Sequence, residues 1–328
     1  MTERQNPGRS AIGVDLGSTN IRVALVRQDG EIVRLLRDAA AGSGPLDFGP
    51  KVEQIAGMVD QLLELTEVDR GTLAGVGVGV GGHINREGTI VGTNGPREMV
   101  WHPFAFRSRL SERLALDLPV CVDNDSKVAA WGEYLYGAGR GARDVVCLTV
   151  GTGVGGGIII DGKLVHGAAG LAGHLGFISV DMNGPRCPSG VQGCIERYAS
   201  GTAIGREACK GLRSGRYSRL CDMVEGETVD SHAVFDGARQ GDWLARQTIN
   251  SAARALGIAI CSLLHTLNPE VVIIGGGVAE QGDVFLNPVR QTVKEHAMLS
   301  YAQTPILSAE MGDRAGVVGA AALCWSAA

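Results

Sequence analysis

The chain has 328 residues, 45% of them apolar, with 30 basic and 35 acidic side chains and a net charge of −5. That length can fill two cores, and the absence of a basic cluster excludes a nucleic-acid footprint. Eight scattered cysteines are not a disulfide framework. The uncharged, histidine-free stretch Val145 to Ile160 carries five glycines and is too short to span a bilayer. Met1 to Pro7 lacks an apolar h-region and reads as a loose tail, not a signal peptide. A cytoplasmic protein without nucleic-acid or membrane partners is expected.

In chain order, an apolar strand from Ala11 reaches Asp15-Leu16-Gly17-Ser18-Thr19-Asn20, and a second strand follows from Ile21 to Leu25, with an Asp29-Gly30 turn leading to a third. The same unit recurs later: Val145 to Val150, the loop Gly151-Thr152-Gly153, a strand through Ile160, and a turn at Asp161-Gly162. Glycine in such loops lets backbone N–H groups approach a ligand, so two facing loops could hold a nucleotide's phosphates. Between them, Val52, Ile55, Met58, Val59, Leu62 and Leu63 recur at helical spacing. Gly75 to Gly82 reads as a buried strand whose alternating glycines imply a close neighbour, an element or a ligand. A short strand, Pro119 to Val122, leads into Asp123-Asn124-Asp125 and a helix through Ala129, Ala130 and Trp131.

Beyond the second unit, residues 166–196 are irregular, and Ala252 to Leu267 is helical. Glu270 to Gly277 is a strand ending in a triple-glycine turn. Ala315 to Ala328 is a helix apolar all round, which must be buried, packed back across the first domain. Strands alternating with helices predict an α/β fold. Two domains are expected: residues 1–122, joined by the helix at about 313–328, and residues 123–312.

Asp15, at a strand end before Gly17-Ser18-Thr19, could hold Mg²⁺ through water while the loop meets phosphate oxygens; otherwise it caps a hairpin turn. Asp125 follows a strand at a helix start, where α/β ligands bind, and is the candidate base. Of the two acids flanking Asn124, one is expected to N-cap the helix and one to act. Cys187 and Cys194 offer two thiols where a structural zinc needs four ligands. Glu196 either faces the crevice or lies on the surface.

These motifs, with Gly193-Cys194-Ile195-Glu196, Asn268-Pro269-Glu270, Gly275-Gly276-Gly277 and Gly312-Asp313-Arg314-Ala315-Gly316, stand in the order found in the ROK family of sugar kinases, repressors and open reading frames. The chain resembles that family from about Ile12 to Leu323. The resemblance implies the two-domain actin/hexokinase-like ATPase (ribonuclease H-like) fold with a cleft between the domains. It also implies an ATP- and Mg²⁺-dependent hexokinase-type reaction on a sugar, glucose by default, in a homo-oligomer (dimer or tetramer). Asp125 falls on the family's base, and Gly82, Asn94, Asn124, Asp125, His174 and Glu196 are the expected sugar-binding set. The expected ATP set is Asp15, Gly17, Ser18, Thr19, Asn20, Thr149, Gly151, Thr152, Gly153, Gly276 and Gly277.

The chain departs from the family at three positions. In the segment that aligns with the family's G-E-x-G-H, His174 replaces a sugar-binding Glu and Phe177 replaces a zinc-ligating His. Ser189 replaces the middle zinc cysteine, so no zinc is expected, and the loop should be held by apolar packing of Phe177 with the turn Asn183-Gly184-Pro185. If His174 contacts sugar, kcat/KM should change near its reference pKa of about 6.5. The alternatives are a non-catalytic sugar sensor and a kinase for another sugar such as an N-acetylhexosamine. A regulator's helix-turn-helix has no room before a strand at about residue 11.

Overall fold

The computed structural model describes residues 9–44, 46–95, 101–115, 118–215, 217–221 and 228–326. The expected tail at Met1–Pro7 and the last two residues of the C-terminal helix lie outside the described residues.

The chain builds one sheet pattern twice. The first sheet takes β1 (Ser10–Leu16), β2 (Asn20–Arg27) and β3 (Ile32–Ala39) as antiparallel neighbours, then β4 (Leu73–Val80) and β7 (Val120–Asn124) parallel to β1. Its order is β3-β2-β1-β4-β7. The helices α1 (Phe48–Thr66) and α2 (Phe106–Leu114) and the ribbon of β5 (His83–Ile84) and β6 (Ile90–Gly92) fill the crossovers. After α3 (Asp125–Tyr136) the second sheet repeats the plan. The strands β8 (Val145–Val150), β9 (Val154–Ile160) and β10 (Lys163–Leu164) are antiparallel, while β11 (Val271–Gly275) and β12 (Ile306–Ser308) are parallel to β8. Its order is β10-β9-β8-β11-β12. Helices α4 (Glu196–Ala199), α5 (Gly201–Arg213), α6 (Ser231–Arg239), α7 (Trp243–Leu267) and α8 (Asp283–His296) complete this half, and α9 (Ala315–Ser326) closes the chain.

Each half has its own apolar core. The α1 stripe of Val52, Ile55, Val59 and Leu62 is buried with Ile12, Val14, Val76 and Val78 of the first sheet. The α7 stripe of Ile249, Ala253, Leu256 and Ile260 is buried with Val146, Leu148 and Val272 of the second. Asp242 caps α7 by accepting from Ala245 N–H at 2.8 Å, and Asn268 ends it in the left-handed region at φ 46°.

The apolar C-terminal helix returns to the first sheet, as its composition requires. A Cβ on Gly13 of β1 would stand 1.8 Å from the Val317 carbonyl oxygen, and one on Gly77 of β4 would stand 1.7 Å from that of Ala320. These glycines therefore admit α9 to direct backbone contact, and the neighbour implied by the alternating glycines is an element. On its other side α9 meets α3, where a Cβ on Gly319 would lie 2.0 Å from the Val128 carbonyl oxygen. The β7 strand runs two residues past its expected end at Val122, because Asp123 and Asn124 still pair with Gly79 and Val80 of β4. Among the described residues, no helix is long and apolar enough to cross a membrane.

Candidate active site

A cleft of about 530 Å³ lies at the carboxyl ends of the parallel strands of both sheets. The β1 end contributes Asp15, the turn after β4 contributes Gly81 and Gly82, and the β7–α3 junction contributes Asn124 and Asp125. From the second half come Thr149, Gly151 to Gly155, Gly275, Gly276 and Ser308. Asn94, His174, Phe177 and Glu196 line the same space.

The β7–α3 junction divides its work differently from expectation. Asn124 is the helix cap: its Oδ1 accepts from Ser126 N–H at 3.0 Å and Lys127 N–H at 3.3 Å, while Nδ2 donates to Gly82 O at 3.1 Å. Neither flanking acid caps the helix. An Asn supplies an acceptor without a charge, and its amide donor reaches the β4 turn as well. Asp123 is buried and ion-paired with Lys127, with His166 Nε2 2.9 Å from its Oδ2. Burial works to raise its carboxyl, but the His166 hydrogen bond and the Lys127 charge outweigh this and hold it below the usual range. Asp125 faces the cleft. Its Oδ1 accepts from Ser126 N–H at 2.7 Å, and Oδ2 is 3.6 Å from where a Cβ on Gly81 would stand. Burial, aided by the Asp15 charge, raises its proton affinity.

Asp15 does not act as a turn cap. It pairs with Arg22 Nη1 at 3.0 Å, and Arg22 Nη2 meets Asp313 at 3.0 Å in the turn before α9. Burial raises the Asp15 carboxyl against the opposing pull of Arg22. The sequence reading missed Arg22, though Asp15 and Arg22 are directly opposed in the β1–β2 register and a hairpin count from the Gly17–Asn20 loop reaches it. That loop is tight, with Gly17 N–H donating to Asn20 O at 3.0 Å. Gly17, Ser18, Thr19 and Asn20 are exposed, and neither they nor Gly277 are among the residues that line the cleft. Those five expected ATP contacts are therefore not gathered with the others.

The second glycine loop does line the cleft. Gly151 N–H bonds Gly153 O at 2.9 Å, and the start of α5 docks behind it through Gly201 N–H to Gly151 O at 2.7 Å. Thr149 Oγ1 bonds Ser126 Oγ at 3.1 Å, joining this loop to α3. Gly276, at φ 87°, packs where a Cβ would meet the Val150 carbonyl oxygen at 2.6 Å. Glu196 is a cleft residue and not a surface one: Oε2 accepts from Val154 N–H at 3.0 Å.

At the opposite end, the His174 ring lies 4.6 Å from that of His83, whose Nε2 is 3.0 Å from Asn94 Oδ1. His174 Nε2 is buried without a hydrogen-bond partner. Burial, then the nearby His83 and Lys127, push the His174 pKa down to about 4, so the ring is neutral near pH 7 and the expected titration near 6.5 is corrected. His83 was not singled out in the sequence, although it directly follows Gly81-Gly82.

Among the described residues, no group of three or more His, Cys, Asp and Glu side chains converges as a metal cluster. Cys187 Sγ lies 2.9 Å from Ser189 Oγ, and Phe177 carries no donor, so the residues present do not fit the family's zinc. The loop is held mainly by its backbone. Val180 N–H bonds Gly193 O and Ile195 N–H bonds Ile178 O, each at 2.9 Å, and Tyr198 Oη donates to Asp181 at 2.9 Å. Phe177 turns instead to the cleft.

The model of the ROK family matches residues 11–327. The glucokinase of Thermotoga maritima is 35% identical over 320 residues, covering 97% of this chain and 98% of that protein. A xylose repressor of Caldicellulosiruptor bescii is 30% identical over 321 residues, covering 96% of this chain and 77% of the repressor. Among solved structures, a ROK family glucokinase from Streptomyces griseus in complex with glucose and AMPPNP is similar at a TM-score of 0.78. It shares 32% identity over 97% of this chain and 99% of that one.

Proposed function

The chain belongs to the ROK family and is a sugar kinase with the actin/hexokinase-like ATPase fold, and from that premise we propose that it transfers the γ-phosphate of ATP to a hexose hydroxyl, glucose first, with Asp125 as general base. The observation that carries this reading is Asp125: a half-buried cleft carboxylate with raised proton affinity, one oxygen anchored by Ser126 N–H. Phosphoryl transfer asks for positioning, charge neutralisation and one base more than for covalent chemistry. In the proposed step, Asp125 takes the hydroxyl proton as the sugar oxygen bonds to the γ-phosphorus and ADP departs. Burial makes the carboxylate a better proton acceptor near neutral pH.

The sugar would sit against Gly82, Asn94, Asn124, His174 and Glu196. Glu196 is oriented by Val154 N–H, so the same turn that bounds the phosphate loop fixes a sugar contact. The nucleotide would run from the Gly151–Gly153 loop toward Gly275 and Gly276. Asp15, half-buried and close enough to Asp125 for its charge to be felt there, is a hard oxygen donor of the kind Mg²⁺ takes, so the residues fit the ion, which Asp15 would hold through water. When bound, Mg²⁺ neutralises charge on the phosphate oxygens. The exposed Gly17–Asn20 loop would reach phosphate by closure of the two halves, which also excludes water as a competing acceptor.

One second reading has a specific observation behind it. His174 and Phe177 give the sugar end a neutral ring and an apolar ring, which favours a sugar other than glucose, such as an N-acetylhexosamine. A panel of monosaccharides with ATP and Mg²⁺, followed by ADP release, tests both. Turnover of glucose or another hexose supports the proposal, and no turnover with any sugar overturns it.

A further inference from the structure

Lys127 is a buried cation that the mechanism above leaves unused. Its side chain is 2% exposed and that of its ion-pair partner Asp123 is 6% exposed. Nζ also donates to Gly170 O at 2.7 Å. The stem of the side chain passes beneath Gly173, where a Cβ would stand 3.3 Å from Lys127 Cγ. The segment thus touched, residues 166–174, leads directly into His174 and has no strand to hold it. Gly167, Gly170 and Gly173 all have positive φ (69°, 85° and 94°), so its intrinsic freedom is large. Beyond one internal backbone bond, Ala172 N–H to His166 O at 3.0 Å, side chains supply the restraint. His166 meets Asp123 at 2.9 Å, and Arg86 donates to Gly167 O at 2.6 Å and to Ala168 O at 3.2 Å.

We infer that Lys127 is a positioning residue for sugar selectivity: it fastens the turn that carries Asn124 and Asp125 to the segment that carries His174, so that two walls of the sugar pocket keep one spacing. The inference rests on the sugar-kinase reading of the cleft. A buried ion pair is a weak stabiliser, because desolvation of both charges offsets their attraction. An apolar pair of the same volume would pack as well. What it could not do is give a directional bond to the carbonyl of a segment without a ladder. Lys127 does that at Gly170, with His166 Nε2 brought to 2.9 Å from Asp123 beside it, and both Lys127 and Asp123 lie within three residues of Asp125.

The test is the double variant Asp123→Asn with Lys127→Met, which removes both buried charges at nearly constant volume. It should melt at or above the wild-type temperature and keep the ATP KM within about twofold, while sugar affinity falls about tenfold or more and the preference between epimers narrows. Wild-type sugar affinity and ranking in the folded double variant would overturn the inference. Should that variant not fold, Arg86→Met removes three hydrogen bonds to the same segment, to Gly167 O and Ala168 O, from an exposed position. It should weaken sugar binding severalfold without moving ATP binding, and an unchanged sugar affinity there would also overturn the inference. Calorimetry reads sugar binding without turnover. A wild type that binds sugar but phosphorylates none would therefore count against the kinase reading alone.

Discussion

Replacing His174 gives a prediction whose size follows from the geometry of the sugar end. The His174 ring is neutral, with Nε2 buried and unpartnered, and stands against His83 at 4.6 Å. A neutral imidazole offers one donor and one acceptor, where a carboxylate only accepts. A buried polar atom left unpaired costs about 1–3 kcal/mol, so a sugar hydroxyl that satisfies it should gain roughly five- to 150-fold in affinity. His174→Ala should lose that gain for the preferred sugar, and His174→Glu should reorder the sugars. The pH dependence has a definite sign. The folded pKa is about 4 against a reference near 6.5, so kcat/KM should carry no inflection from this ring near 6.5. Because the unfolded chain takes up this proton first, the stability contributed here is lost as pH falls from about 6.5 toward about 4. The assay is kcat/KM across a sugar panel and a pH series for wild type and both variants. Identical sugar rankings in all three would show that His174 sets no specificity, and a wild-type inflection near 6.5 that vanishes in His174→Ala would refute the neutral ring.

Three further outcomes follow from the packing and the loops. Gly77→Ala places a methyl 1.7 Å from the Ala320 carbonyl oxygen, so scanning calorimetry should find destabilisation of about 1–3 kcal/mol or more; an unchanged melting temperature would mean that α9 does not pack on β4. Elemental analysis of purified protein should find no stoichiometric zinc, since Phe177 and Ser189 leave Cys187 and Cys194 without partners for a tetrahedral site. About one zinc per chain would contradict this. Small-angle scattering should show the radius of gyration falling on addition of the right sugar, as the exposed Gly17–Asn20 loop moves in. An unchanged profile at saturating sugar would argue for a preformed cleft.

Local signals carried much of the fold. The duplicated strand–glycine–strand unit appears as two sheets of the same order, and the uniformly apolar last helix is buried against the first of them. The place of a cleft residue was legible where its neighbours in sequence are its neighbours in space, as for Asp125 at the β7–α3 junction. It was less legible where long-range contacts decide. The assignment of the cap to Asn124 depends on the Gly82 carbonyl, 42 residues away, and the locking of Asp123 depends on His166. A signal existed for Lys127, four residues beyond Asp123 at helical spacing, but its Gly170 partner lies in a segment without periodicity. The Gly17–Asn20 loop was expected in the site from its motif, and motif does not report exposure, which the structure gives for all four residues.

The assignment of Asp125 as base is tested most directly by Asp125→Asn, assayed for turnover, ligand binding and thermal stability together. Asn keeps the shape and the acceptor for Ser126 N–H but cannot take a proton. The variant should lose about 10²- to 10⁴-fold in kcat, roughly 3–5.5 kcal/mol of barrier, while sugar and ATP still bind. Burial raises this carboxyl, so the folded state disfavours its charge, and that penalty grows as pH rises from the unfolded pKa through the folded one. The variant should therefore melt no lower than wild type at neutral pH. A variant with near-normal kcat would remove Asp125 from the mechanism, and with Asp123 held by Lys127 and His166 it would leave the proposed proton transfer without its base.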